Sequence, residues 1–308
     1  MKKKPTVIIG AGPAGLSCAL GLREAHLPSL LIERAEVGGQ LKDIPSPVDN
    51  FALGTFSSGK EAAEALQRTL RHTEDEFLHF MKGNVRNIDL SKLTVEIDAA
   101  SEALAIEAAN IVLATGYRVR TLGFAGSESK HVHYHSDSLR GPVIAVIGGG
   151  DSAVLKALAL VRGDLCRKVY LITRGSALRA RPDLRQELAS LPLAQIQILT
   201  NAQITSFVEG SKGHTLSISD SARSLSVELE VDSLLIKAGY LPNTEFLSGK
   251  LAMDENNHVL IDQFCRTSQK GVYAAGDITA SGFPRIATAI GQGMTAAAEI
   301  IRQTFSGS

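Results

Sequence analysis

Two glycine-rich turns are the parts of this 308-residue chain whose residue types and spacing point most directly to chemistry. The first turn follows the pattern G-x-G-x-x-G through Gly10, Gly12 and Gly15, with Pro13 and Ala14 between the last two glycines. In such a pattern the first glycine permits a tight turn, the second leaves room for a pyrophosphate, and the third lets a helix pack closely. The N-terminus of that helix offers free N–H groups and positive dipole charge to phosphate. The turn therefore predicts a dinucleotide site.

The residues around this turn strengthen the prediction. The turn follows a β-branched apolar run, Thr6 to Ile9, and precedes the apolar stretch Ala14 to Leu22, which is the strand–turn–helix context that the pattern requires. Glu33 ends the next apolar run, 18 residues after Gly15, where a carboxylate can accept hydrogen bonds from a ribose, and Arg34 follows it. The alternative is a glycine turn that binds nothing, and it is the weaker interpretation because the context and the acid agree.

A second turn of the same kind lies 138 residues after the first, counted from Gly10 to Gly148. It follows the strand-like run Val143 to Ile147 and fits G-x-G-x-x-A. Its residues are Gly148, Gly149, Gly150, Asp151, Ser152 and Ala153. This recurrence indicates a duplicated nucleotide-binding unit and not the short period of a solenoid.

The strand after the second turn favours a different nucleotide from the strand after the first. It ends in Thr173 and Arg174 in place of an acid, and Arg179 and Arg181 follow in the next turn. Arginines suit a 2′-phosphate, whereas an acid suits a bare ribose, so NADP(H) is favoured over NAD(H). A solvated basic loop remains an alternative, because loops often carry arginines.

The elements that must position these residues alternate between strand and helix, which is typical of parallel sheets covered by helices. The sequence also predicts a helix over Gly59 to Phe80, a small antiparallel meander over Val85 to Ile106 and a closing helix over Ala287 to Arg302. We therefore expect an α/β fold with two Rossmann-like dinucleotide-binding domains.

The expected domain division rests on two segments rich in glycine and turn residues, Gly123–Ser129 and Gly239–Thr244. We interpret them as the crossings into and out of an inserted domain. Residues 120–240 would form the NADP(H)-type domain, and residues 1–119 plus 241–308 would form the domain that it interrupts.

Composition excludes several other classes of protein. With 32 basic and 32 acidic residues there is no electrostatic case for nucleic acid as a partner. No run of eighteen apolar residues predicts a membrane span, and the basic start runs at once into the glycine turn, so no signal peptide is expected. Cys18, Cys166 and Cys265 form no zinc or disulfide pattern, which fits a cytoplasmic location.

Several further motifs resemble the low-molecular-weight thioredoxin reductases over nearly the whole chain. They are Gly38-Gly39-Gln40-Leu41, Asp49-Asn50-Phe51, Ala114-Thr115-Gly116, Gly239-Tyr240-Leu241-Pro242-Asn243-Thr244, Ala275-Gly276-Asp277 and Arg285-Ile286-Ala287-Thr288-Ala289. The resemblance implies a homodimer and FAD as the cofactor of the interrupted domain. Besides the residues of the first turn, the resemblance implies further FAD contacts. They are Gly39, Gln40, Asn50, Ala114, Thr115, Gly116, Gly276, Asp277, Ile286 and Ala287.

One departure from that family decides the expected function. The family carries C-x-x-C shortly before the second glycine turn, whereas this chain has His131-Val132-His133-Tyr134-His135-Ser136-Asp137 there. Without a dithiol, electrons cannot pass through an internal disulfide. The segment resembles instead the H-Y-x-x-x-D-x-L stretch of thioredoxin-reductase-like ferredoxin–NADP⁺ reductases. This makes His133, Tyr134 and Asp137 the candidate catalytic side chains beside the flavin.

The resemblance therefore implies an FAD-dependent oxidoreductase that passes electrons from NADPH to an external acceptor such as ferredoxin or flavodoxin. Two alternatives stay open. One is a flavoenzyme acting on a small disulfide or another small oxidant, with a donor other than NADPH also conceivable. The other is a non-catalytic flavin-binding protein. The family's H-R-R-x-x-x-R is only partly matched, because Gly175 follows Arg174.

The alternating histidines 131, 133 and 135 would share one face of a strand, as metal ligands can. No cysteine or second histidine cluster completes such a site in the sequence. We therefore expect a polar surface here and no metal.

Overall fold

The structure, a computed structural model, describes residues 4–44, 47–51, 54–99, 102–135, 139–163, 165–211, 213–220, 225–280 and 283–306. The chain divides into two compact units. The first unit consists of Met1–Arg118 and Leu241–Ser308, and the second unit is Val119–Tyr240. The observed boundaries lie after Arg118 and Tyr240, whereas we expected them after residues 119 and 240.

Strands and helices alternate around each glycine turn, whereas strands follow one another over much of the rest of the described chain. Up to the first crossing they are β1 (Thr6–Ile9), α1 (Pro13–Glu24), β2 (Ser29–Glu33), β3 (Val48–Phe51), β4 (Gly54–Phe56), α2 (Gly59–Thr73), β5 (Leu78–Lys82), β6 (Asn84–Asp89), β7 (Thr94–Ala99), β8 (Glu102–Glu107), β9 (Asn110–Leu113) and β10 (Tyr117–Val119). There follow β11 (Val132–His133), β12 (Val143–Ile147), α3 (Asp151–Arg162), β13 (Lys168–Ile172), α4 (Pro182–Ala189), β14 (Ile196–Leu199), β15 (Ala202–Val208), β16 (His214–Asp220), β17 (Leu225–Val231) and β18 (Ser233–Ile236). The last elements are β19 (Tyr240–Pro242), β20 (Val272–Ala274) and α5 (Ile286–Ser306). Within the described part of the chain, none of the helices has both the length and the hydropathy that a membrane crossing needs.

Five parallel strands form the central sheet of the first unit, in the order β20-β9-β1-β2-β5. Strand β1 is buried on both faces, because Val7 and Ile9 pack into one apolar cluster and Ile8 into another. Helices α1 and α5 cover one face through residues such as Leu16, Leu22 and Ile300. The antiparallel sheet β6-β7-β8 covers the other face through Ile88, Val95 and Ile97.

The strands of this sheet end together at one edge. Ile9 at the end of β1 lies opposite Ile32 and Leu113, and Ala274 at the end of β20 also lies opposite Leu113. Ligands of open α/β sheets bind at this carboxyl edge. The residues that the register delivers there include Gly10, Glu33, Ala114 and Ala275.

The second unit repeats this arrangement. Its parallel sheet has the order β11-β18-β12-β13-β14. Helices α3 and α4 pack on one face, and the antiparallel sheet β15-β16-β17 packs on the other. The expected α/β fold with two Rossmann-like dinucleotide-binding units is confirmed.

The helix expected over Gly59 to Phe80 is wrong after Thr73. Helix α2 ends at Thr73, and the Asp75 carboxylate accepts the backbone N–H groups of Phe77 and Leu78 at 2.9 and 3.1 Å. The turn that Asp75 stabilises redirects the chain, and Leu78 then starts β5, opposite Ser29 of β2. Burial of Leu78 in the sheet outweighs the apolar pattern that favoured a longer helix.

The segment Gly123–Ser129 is not a crossing between the two units, as we expected, but part of the second unit. Its Ala125 carbonyl accepts the N–H of Phe207 at 2.8 Å. Gly126 has a φ of +84°, and a Cβ there would lie 1.9 Å from the carbonyl oxygen of Phe207. The glycine thus serves a close approach to β15 and not a flexible linker.

Candidate functional site

The first glycine turn has the geometry of a phosphate cradle. Gly10 has a φ of +106°, and a Cβ there would lie 2.3 Å from the carbonyl oxygen of Ala114. A Cβ on Gly15 would lie 1.9 Å from the carbonyl oxygen of Gly10. In contrast, a Cβ on Gly12 would meet nothing within 4 Å. The outer glycines are therefore required by packing, whereas Gly12 faces open space at the N-terminus of α1, where a pyrophosphate fits.

Glu33 ends β2 beside this turn. One carboxylate oxygen accepts the N–H of Ala11 at 2.9 Å, and the other accepts the N–H of Ala35 at 2.9 Å. The turn thus fixes the orientation of the acid through its own backbone, a contact that sequence spacing does not predict. Each carboxylate oxygen keeps a lone pair that a ribose hydroxyl can use. Arg34, the next residue, is exposed.

The G-G-Q segment lies against the same turn. A Cβ on Gly39 would lie 4.0 Å from the Cα of Gly12. Gln40 donates from Nε2 to the carbonyl oxygen of Tyr117 at 2.6 Å, which ties the segment to the chain that follows β9. Asn50 is exposed on β3, outside the central sheet.

The A-T-G segment after β9 is held by a reciprocal pair of hydrogen bonds. Thr115 Oγ1 donates to the carbonyl oxygen of Asn243, and Asn243 Nδ2 donates to the carbonyl oxygen of Thr115, both at 2.8 Å. Ala114 is buried, and Gly116 has a φ of +62°. The hydrogen bonds of Asn243 join two segments that are 128 residues apart in sequence. Only its place in the resembling G-Y-L-P-N-T segment could have indicated it.

The A-G-D segment after β20 closes the site from the other side. Gly276 has a φ of +82°, and a Cβ there would lie 3.0 Å from the Cβ of Ala14 in the first turn. Its N–H donates to Oε1 of Gln292 on α5 at 2.7 Å. Burial raises the pKa of Asp277, and the nearby Arg285 acts in the opposite direction. Gln292 is a site residue that sequence reasoning missed.

Helix α5 begins at Ile286, whose side chain packs with Leu41, Ala62 and Ala63 beside the G-G-Q segment. Ala287 follows in the exposed first turn. The N-terminus of α5 is therefore close to Gln40, and its dipole favours negative charge placed there.

The second turn repeats the first in detail. A Cβ on Gly148 would lie 2.3 Å from the carbonyl oxygen of Lys237, whereas a Cβ on Gly150 would meet nothing within 4 Å. Asp151, Ser152 and Ala153 form the first turn of α3. A cavity of about 400 Å³ opens here within the second unit. Gly12 and Gly150 thus hold equivalent open positions, each before a helix, and both turns fit a dinucleotide.

The predicted arginines divide into two groups. Arg174 and Arg179 line the cavity, and so does Arg120, which sequence reasoning missed. Arg181 instead pairs with Asp151, with 3.2 Å from its Nε to a carboxylate oxygen, and with Asp183 at 3.6 Å. Arg174 and Arg179 therefore line the space that is open to a 2′-phosphate, and the predicted role of Arg181 stays a prediction.

The candidate catalytic residues His133 and Tyr134 lie in the second unit. Burial, and after it the charges of His131 and Arg140, lower the pKa of His133. The Tyr134 hydroxyl accepts the N–H of Leu122 at 3.3 Å, and its carbonyl accepts Lys237 Nζ at 2.8 Å. These contacts anchor the segment within its unit. Asp137 lies outside the described residues.

The neighbouring histidine, His131, contacts another histidine of the second unit. His131 stacks on His214 with ring centroids 4.0 Å apart. Among the residues that the structure describes, no group of three His, Cys, Asp or Glu side chains could hold a metal ion.

Two of the three cysteines are poor redox groups in this fold. Cys18 and Cys265 are both buried in the cluster between the first sheet and α5. Burial raises the pKa of Cys18 far above its ordinary value, and Cys265 adds to this effect. Burial likewise raises the pKa of Cys265 to about 11. Both thiols therefore stay protonated near neutral pH and are weak nucleophiles.

Comparisons with known proteins cover both units. A family model described as pyridine nucleotide-disulphide oxidoreductase matches residues 4–293. The chain is 30% identical over 305 residues to a subunit of the alkyl hydroperoxide reductase of Pseudomonas aeruginosa, covering 94% of this chain and 56% of that protein. It is 27% identical over 308 residues to thioredoxin reductase of Borreliella burgdorferi, covering 96% and 90%. The structure of Lactococcus lactis thioredoxin reductase superposes with a TM-score of 0.82 at 27% identity, covering 96% and 97%.

The chain spans about half the length of the alkyl hydroperoxide reductase proteins that it matches. The family match nevertheless extends over both glycine turns and over the A-T-G and A-G-D segments. The two open glycine turns of the structure agree with this match. The chain therefore belongs to the pyridine nucleotide–disulphide oxidoreductases, a family of enzymes that bind FAD and NAD(P)H.

Proposed function

We propose that this protein takes electrons from NADPH in the second unit, passes them to FAD in the first unit and delivers them directly to an external acceptor. The observation that supports this most is the pair of open glycine positions, Gly12 and Gly150, each at a helix N-terminus. Two nucleotide sites suit a protein that moves electrons from one cofactor to another.

The first unit supplies the groups that FAD requires. Gly12 leaves room for the pyrophosphate, Glu33 is oriented to accept a ribose hydroxyl, and Gln40 and Asp277 lie at the same sheet edge. Bound FAD supplies hydride chemistry, and the protein sets orientation and potential. The N-terminus of α5 would favour the negative charge that reduction brings.

The second unit supplies the groups that would select NADPH. Arg174 and Arg179 line the cavity beside Gly150, where the 2′-phosphate of the nucleotide would lie. Arg181 pairs with Asp151 at the surface.

The cysteines support direct transfer. The segment from 131 to 137 contains none, and burial raises the pKa of both Cys18 and Cys265. A protein acceptor such as ferredoxin or flavodoxin is favoured by the resemblance around His133 and Tyr134. A small external disulfide is the second candidate, and the family description and the relatives named thioredoxin reductase favour it.

The experiment is anaerobic stopped-flow bleaching of the bound flavin by NADPH and NADH, followed by turnover with ferredoxin, flavodoxin and small disulfides. Rapid bleaching by NADPH and turnover with one protein acceptor are expected. Turnover with small disulfides alone would replace the favoured acceptor by the second candidate. Failure of both nucleotides to bleach the flavin would refute the proposed donor.

A further inference from the structure

A chain of three hydrogen-bonded side chains lies in the first unit and takes no part in the proposed cofactor contacts. The Tyr117 hydroxyl is 2.9 Å from Nε2 of His258. The Nδ1 of the same ring is 2.9 Å from an Asp254 carboxylate oxygen. Tyr117 follows the A-T-G segment. Asp254 and His258 lie in a turn before β20, and His258 is 141 residues from Tyr117 in sequence.

The direction of these bonds follows from the chemistry of the groups. A carboxylate only accepts hydrogen bonds, so Asp254 places the ring proton of neutral His258 on Nδ1. Nε2 is then an acceptor, and Tyr117 donates its O–H to it. Asp254 is itself held, because it accepts the backbone N–H groups of Asn256 at 2.9 Å and of His258 at 2.7 Å. The carboxylate therefore both sets the tautomer and fixes the ring.

The protonation states agree with this direction. Burial works against ionisation of Asp254, but the backbone and ring hydrogen bonds from His258 outweigh it and lower the pKa of the carboxyl. Burial raises the pKa of Tyr117, and the charges of Asp277 and Asp254 raise it further. The phenol therefore keeps its proton at neutral pH and can serve as a donor.

The place of Tyr117 is what connects this chain to the flavin site. Its carbonyl oxygen accepts Gln40 Nε2 at 2.6 Å, and the charge of Asp277 helps to raise the pKa of its hydroxyl. Tyr117 is half-buried, and 19% of the His258 side chain is exposed. One end of the chain is thus beside the residues proposed to hold FAD, and the other is open to water.

We propose that Asp254, His258 and Tyr117 form a proton-transfer chain that delivers protons to the electron acceptor at the flavin site. This inference rests on the proposed function. An acceptor that takes up two electrons and two protons receives one proton with the hydride and needs a second. Tyr117 gives that second proton from its O–H. The phenolate takes a replacement proton from Nε2–H of the His258 imidazolium. The neutral ring forms this imidazolium by taking a proton from a buffer acid in the solvent, while Asp254 balances the positive charge.

The test compares an acceptor that needs protons with one that does not. FAD-loaded wild type, Tyr117→Phe and His258→Gln are reduced with dithionite and reoxidised anaerobically by a naphthoquinone or by ferricyanide, which takes electrons alone. We expect the ratio of the quinone rate to the ferricyanide rate to fall about 100-fold in both variants, which is the lower end of the range for general acid catalysis. Tyr273→Phe, which removes a phenol from the same unit, is the matched control and should leave the ratio unchanged. An unchanged ratio in Tyr117→Phe would overturn the proposal.

A second readout needs neither flavin nor turnover. Nitrogen NMR of the histidine rings in flavin-free protein should show His258 as the Nδ1-protonated tautomer, and Asp254→Asn should alter that signal. An Nε2-protonated ring in wild type would contradict the proposal, because Tyr117 could not then donate to it. Since dithionite replaces NADPH in the first test, failure of NADPH as donor would count against the proposed function without touching this inference.

Discussion

Gly12 and Gly150 are the residues on which the two proposed nucleotide sites depend most directly. Each precedes a helix, and each would place a Cβ in open space where a pyrophosphate is expected. Because no protein atoms crowd either position, a larger side chain there should leave the fold intact and weaken only the binding of the nucleotide.

We therefore predict that Gly12→Val yields folded protein without flavin, whereas Gly150→Val keeps flavin and loses bleaching by NADPH. The measurements are flavin absorbance after desalting, circular dichroism and stopped-flow reduction. Each variant is the control for the other. A Gly12→Val protein with a full complement of FAD would refute the assignment of the first turn.

The arginines permit a test of nucleotide preference. Arg174→Ala and Arg179→Ala should each reduce the preference for NADPH over NADH roughly tenfold, because a charge-assisted bond to phosphate contributes about 1.5–3 kcal/mol. Arg181→Ala is the matched control, since Asp151 and Asp183 already engage that side chain. Equal preference in wild type and both variants, measured as the ratio of reduction rates at low nucleotide, would contradict the assignment.

Residue types and spacing indicated the glycines, Glu33 and the arginines as candidate site residues, because these belong to local motifs. They were not enough for Asn243, Gln292 or Arg120. Each of these acts through segments that are far apart in sequence and meet only in the folded unit. The Asp254–His258–Tyr117 chain escaped prediction for the same reason.

Among the elements, α5 carries an ionic cluster whose effect on stability can be measured. Glu299 is 3% exposed and accepts hydrogen bonds from Arg302 at 2.8 Å, from Gln303 at 2.6 Å and from Arg266 Nε at 3.0 Å. The bonds from Arg302 lower the pKa most, burial opposes them, and Arg266 and Gln303 add to the lowering, so that the pKa is about 2.

Since the folded pKa is below the ordinary value of 4.5, Glu299 stabilises the protein above about pH 4.5 and loses that effect as pH falls toward 2. We predict that Glu299→Gln lowers the free energy of unfolding by about 3 kcal/mol at pH 7. The difference from wild type, measured by urea unfolding, should shrink below pH 4.5. A difference independent of pH between 7 and 3 would show that ionisation of Glu299 is not the cause.

The buried thiols give a prediction about α1 and the chain before β20, which hold Cys18 and Cys265. Replacing Cys18, Cys166 and Cys265 together by Ala should leave electron transfer to the true acceptor nearly unchanged, because no dithiol is needed. Flavin content must be measured first, since loss of Cys18 from the core costs stability. A flavin-loaded variant that accepts electrons but no longer passes them on would restore disulfide reduction as the leading function.

Elements with strong local patterns were predictable, and those decided by pairing were not. The strands before both glycine turns and the closing helix agree with their apolar patterns. The end of α2 was missed because the Asp75 turn and the pairing of β5 with β2 decide it. Gly123–Ser129 was misjudged because a glycine that permits close packing and one that permits flexibility look alike in sequence.

At the scale of the whole molecule, the chain is a duplication in which each unit has a parallel sheet, a glycine turn and an antiparallel sheet on one face. Because both units have these features, one chain could hold both NADPH and FAD. A homodimer, implied by the resemblance, stays a prediction. Light scattering on the FAD-loaded protein should give twice the chain mass of 32.7 kDa, and a mass equal to one chain would contradict it.

In the function that we propose, electrons enter from NADPH and rest on the flavin alone before they leave the protein. Anaerobic titration of the FAD-loaded protein with NADPH, followed by absorbance, counts the electrons directly. Flavin accepts two electrons, so we predict complete bleaching at about one NADPH per FAD. A requirement for about two NADPH per FAD would reveal a second two-electron group such as a cysteine pair, and would contradict direct transfer.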